Sequence, residues 1–96
     1  MGACSKQTFN NVSQTSWDKI KNAVKSELGI IISSDNGEAT KDGFTISWDY
    51  ISNKQELGIQ AIDSPWYVPC SLINNKIHDL IEGVLHSEAA KITQMV

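Results

Sequence analysis

Phe44, Ile46, Trp48 and Tyr50 alternate with Thr45, Ser47 and Asp49, the period of two that an extended strand with one buried and one wet face produces. Such a strand needs paired neighbours and a cover for its apolar side, so this segment sets what the rest of the chain must supply. Downstream, Ser52-Asn53-Lys54 makes a short turn, and Leu57, Ile59 and Ala61 alternate with Gly58, Gln60 and Ile62 as a further strand. Upstream, the β-branched triplet Ile30-Ile31-Ile32 reads as a strand closed by Ser33-Ser34-Asp35-Asn36-Gly37, whose Asn-Gly pair is a turn signal. Pairing in sequence order gives a three-stranded antiparallel meander.

The cover comes from two helical patterns. Trp17, Ile20, Val24 and Leu28 recur at helical spacing, with Ser13, Thr15 or Ser16 as N-cap and Gly29 as the residue past the end, which predicts a helix over about Gln14 to Leu28. Ile73, Ile77, Leu80, Ile81, Val84 and Leu85 trace a second stripe that starts at Cys70 or Ser71 after Pro69. Beyond His86 the stripe degrades as Glu88 and Lys91 rotate onto it. The expected fold is α+β, in the order helix, three-stranded meander, helix, with both helices on one face of the sheet. The expected organisation is a flexible tail over 1–12, one domain over 13–86 and a weakly docked extension over 87–96.

Ninety-six residues fit a single core with little room for an internal cavity. The eight basic residues are all lysine, set against eleven acids for a net charge of -3. Without arginine or a lysine stripe, nucleic-acid binding is disfavoured. No apolar run has membrane length, and Cys4 and Cys70 form neither a CxxC nor a dense disulfide framework. The sequence therefore predicts reduced thiols and a cytoplasmic protein. Met1-Gly2-Ala3-Cys4-Ser5-Lys6 resembles an acylation signal only in part, because Lys6 stands where Ser or Thr is wanted. Asn11-Val12-Ser13 is a glycosylation sequon without meaning in that compartment.

Asp63 to Ser71 holds both prolines together with Trp66, Tyr67 and Cys70, at the passage from strand to helix. A thiol at a helix N-terminus is a candidate nucleophile. However, His78 lies about 12 Å further along the helix axis and His86 further still, so Cys70 has no base. His78 and His86 are two turns apart and flank Glu82, which suits surface pairing and not one shared metal ion. Asp35, Glu38 and Asp42 lack an EF-hand frame, and the glycines form no nucleotide loop. Trp17 and Trp48 belong to core stripes. Trp66 and Tyr67 occupy a connection, where they either plug the open end of the core or form an interface.

No catalytic group, metal or cofactor is called for by these patterns. The expected function is a non-enzymatic interaction domain that binds a protein partner or itself. Its surface would be the Trp66-Tyr67 loop or the polar sheet face of Thr45, Ser47, Asp49 and Gln60. A second reading is a carrier of a small apolar ligand or lipid held between the helices and the Phe44, Trp48 and Leu57 side of the sheet. A third is a thiol-dependent enzyme using Cys70.

Overall fold

A computed structural model describes residues 3–94, with side chains through residue 87. The elements run β1 (Gln7–Phe9), α1 (Gln14–Leu28), β2 (Asn36–Lys41), β3 (Phe44–Ile51), β4 (Glu56–Asp63) and α2 (Cys70–Gln94). Among the described residues the four strands form one antiparallel sheet in the order β1-β4-β3-β2. The β2-β3-β4 part is a meander, and β1 adds a strand to its far side. The expected three-stranded sheet is thus corrected to four.

Two sequence expectations change with it. Ile30-Ile31-Ile32 is not a strand; Ile30 and Ile32 are buried and Ile31 is exposed, in a connection that runs from α1 to β2. Asn36-Gly37 is not a turn but the start of β2, and the hairpin closes at Asp42-Gly43, with φ of 53° and 85°. Positive φ at both corner residues is what a two-residue hairpin requires, and Asp-Gly provides it at low cost. Lys41 and Phe44 face each other across this turn.

Of the residues before α1, expected to form a flexible tail, those described from Cys4 to Val12 bond to the sheet and its connections. Gln7 and Phe9 pair with Ile59 and Leu57, and the Cys4 amide donates to the Ala61 carbonyl at 2.8 Å. The expected reduced thiols are also corrected, because Cys4 and Cys70 form a disulfide with Cα atoms 5.4 Å apart. It ties the segment ahead of β1 to the first residue of α2, a pairing that spacing in the sequence does not reveal. The acylation considered at Cys4 has no free thiol to use, and the one considered at Gly2 lies outside the described residues.

Helix α1 has the limits its caps dictate: the Ser16 amide donates to Ser13 Oγ at 3.2 Å, and Gly29 takes φ 70° while its amide reaches the Lys25 carbonyl. Trp17, Ile20 and Val24 from α1 and Ile73, Ile77 and Ile81 from α2 share one core cluster with Ile46, Trp48, Tyr50, Leu57, Ile59 and Ala61. The expected weak docking after His86 falls mostly on side chains outside the described ones.

Trp17 and Tyr50 anchor one end of this core. Their rings stack with centroids 5.1 Å apart, Trp17 Nε1 donates to Asp35 Oδ1 at 2.9 Å, and Tyr50 Oη donates to the Val12 carbonyl at 2.6 Å. Burial pushes the Tyr50 phenol above its ordinary value, and the Asp35 and Asp18 carboxylates push in the same direction. No helix among the described residues is long and apolar enough to cross a membrane.

Candidate functional site

The opposite aromatic pair is built by a turn. The Val68 amide donates to the Pro65 carbonyl at 3.0 Å, which makes Trp66 and Tyr67 the two corner residues of a Pro65–Val68 turn. Corner side chains project, and Trp66 and Tyr67 are 80% and 69% exposed, with rings edge to face at 5.8 Å. Before the turn, the Ser64 amide bonds Asp63 Oδ1. Pro65 lies against Gly43 of the β2-β3 hairpin, 3.3 Å from where a Cβ would stand. After it, the amides of Leu72 and Ile73 donate to the Pro69 carbonyl and start α2. The frame is braced on both sides while the two rings stand in solvent, so they do not plug the core.

Beside this turn an apolar groove of about 420 Å³ opens between the end of α1, the start of α2 and the sheet. Its walls include Leu28, Ile30, Phe44, Val68, Leu72 and Ile73, and Lys41, Asp42, Glu27 and Lys76 stand among its lining. Leu72 is 61% exposed. A second cleft, of about 580 Å³, lies between α1 and α2 along Ala23, Leu80 and Val84. Glu27 and Lys76, 3.8 Å apart, belong to both and stand between them. Sequence reasoning missed Leu72 and Val68 as surface features; the available signal was that Leu72 precedes the α2 core stripe.

Of the polar residues expected as a binding face, Ser47, Asp49 and Gln60 line a hollow of about 300 Å³ together with Lys6 and Glu38, and Thr45 is not part of that lining. Their groups are largely spent within the sheet. Thr45 Oγ1 pairs with Thr40 Oγ1 at 2.8 Å, Asp49 Oδ1 accepts from Asn36 Nδ2 at 3.0 Å, and Gln60 Nε2 donates to the Cys4 carbonyl at 2.7 Å. Ser47 Oγ is 3.5 Å from the Gln60 carbonyl, and the Lys6 side chain lies across Gly58 in the space a Cβ would fill. This is the surface of a finished sheet more than a set of unmet donors and acceptors.

Cys70 carries no thiolate as folded, because its sulfur is bonded to Cys4. His78 is exposed, with Nδ1 3.6 Å from Asp79 Oδ1 and its ring 6.0 Å from that of Phe9. Compared with models of protein families, with curated proteins and with solved structures, the chain matches none of them.

Proposed function

We propose that the protein is a non-enzymatic interaction domain that engages a protein partner through the Trp66-Tyr67 turn. The observation that carries this reading is the exposure of both rings on a proline-braced frame, since an exposed Trp-Tyr pair is a large apolar area left in water by the fold. Aromatics on a rigid support dock with little loss of conformational freedom, which is why they dominate interface energetics. The test compares wild type with the Trp66→Ala/Tyr67→Ala double variant in capture from the native source. A partner that is retained by wild type and lost by the variant, with unchanged circular dichroism, is the expected result. Equal retention by both proteins contradicts it.

The groove beside the turn favours a second reading, carriage of a small apolar molecule. Its volume of about 420 Å³ falls in the range of small-molecule sites, and it lies on the Phe44 side of the sheet. Native mass spectrometry reads this out: a copurifying apolar compound lost on Leu72→Arg supports carriage, and a bare protein mass argues for the interaction reading alone.

The disulfide also changes where the protein is proposed to mature, because such bonds form and persist in oxidising compartments. Alkylation of free thiols at the moment of lysis should leave Cys4 and Cys70 unlabelled. Two labelled cysteines would restore the cytoplasmic reading.

A further inference from the structure

We infer that a second copy of this chain pairs with the free edge of β2, with Ala39 on the two-fold axis. Among the described residues, strand β2 lies at the end of the sheet order and has a sheet neighbour on one side only. The direction of its backbone groups follows from the register. The Tyr50 amide donates to the Asp35 carbonyl at 2.7 Å, so the odd-numbered residues 35, 37, 39 and 41 make the bonds to β3. Asn36, Glu38 and Thr40 therefore turn their N–H and C=O groups to the outside; the Asn36 carbonyl accepts from Ser34 Oγ at 2.8 Å, which leaves Glu38 and Thr40 as the template for another strand.

A two-fold axis perpendicular to the sheet allows only registers that pair residues of the same face. Centring on Glu38 sets Glu38 against itself, and centring on Thr40 sets Glu38 against Asp42 of the other copy. Each brings like charges opposite each other, which opposes pairing. Centring on Ala39 pairs Glu38 with Thr40 and Lys41 with Gly37, free of like-charge pairs. It pairs the strand along most of its length and places the small Ala39 side chain at the axis, in a non-hydrogen-bonded pair where strands approach most closely. The long Lys41 side chain meets a glycine.

Apolar area stands next to this edge. Gly29 lies against the Lys41 side chain, while Ser34 Oγ lies near Gly37, so the connection between them runs antiparallel to β2 along its flank. On that connection Ile31 is 64% exposed. A second copy covers it. The antiparallel arrangement also sends the two Trp66-Tyr67 turns to opposite ends of the pair, so the assembly displays both.

Six residues of strand and one isoleucine per copy make a small interface, so the dimer should be concentration-dependent. Sedimentation equilibrium over a concentration series reads this out, with Thr40→Pro as the probe. Proline at residue 40 removes a donor that points away from β3 and leaves the intramolecular ladder intact. The expected result is a reversible dimer for wild type and a monomer for Thr40→Pro with unchanged circular dichroism. If that variant unfolds, Ala39→Cys decides: it should give a disulfide-linked dimer on oxidation, because the two Cα atoms lie about 4.5 Å apart in such a pair. A wild type that stays monomeric at the highest concentration, or an Ala39→Cys protein that stays uncrosslinked, overturns the proposal.

Discussion

The two Trp-Tyr pairs of this domain share their chemistry and differ in every surrounding. Trp17 and Tyr50 are 0% and 5% exposed, stacked, and each hydrogen-bonded to a group from a distant part of the chain. Trp66 and Tyr67 are adjacent in sequence, meet edge to face, and stand at the corners of a turn. The first pair joins α1, β3 and the segment before β2 into one core end. The second leaves its apolar area in water. Burial of aromatic surface is among the largest stabilising contributions in a domain of this size, so leaving the second pair exposed forgoes stability that its position makes available for binding.

Substitution should separate the pairs by size of effect. Trp17→Ala, which removes a fully buried ring and its bond to Asp35, should destabilise by about 3–5 kcal/mol in urea denaturation, enough to unfold much of the population. Next, Cys4→Ser with Cys70→Ser should cost about 2–4 kcal/mol and release the N-terminal strand, seen as faster amide exchange at Gln7–Phe9. Tyr50→Phe keeps the stack but leaves the Val12 carbonyl without its donor, for about 1–2 kcal/mol.

The same phenol gives a pH dependence. Its pKa is raised in the folded state, so the neutral form is favoured there and the associated stability is fully present below the unfolded pKa. That stability should fall as pH rises past about 10, and Tyr50→Phe should flatten the alkaline limb of a Tm-versus-pH curve. A limb unchanged by Tyr50→Phe would assign alkaline loss to other groups.

How much of this was legible in the sequence depended on pattern length. Helix α1 could be read to its last residue because Ser13 and Gly29 mark its ends chemically. Strands β3 and β4 could be read because each alternates over eight residues. Strand β1 has three residues, too few for a period to show, and β2 sets Gly37, Ala39 and Lys41 on its core side, with no large apolar residue among them. Reading Asn36-Gly37 as the turn leaves Asp42-Gly43 without a role and makes Ile30-Ile32 the first strand of the meander. Ile30 and Ile32 are buried by packing without ladder pairing, a distinction that hydrophobicity alone does not carry. The aromatic turn was legible as a candidate, but its exposure was not, because Pro65-Trp66-Tyr67-Val68 reads the same whether the rings point in or out.

The separation of the two pairs is tested most directly by the urea midpoint of Trp66→Ala/Tyr67→Ala. Both rings stand largely in solvent, so the loss of stability should stay within about 0.5 kcal/mol per residue, as for ordinary surface substitutions. A loss near that of Trp17→Ala would show that Trp66 and Tyr67 close the core, and the turn would then cease to be a candidate for binding.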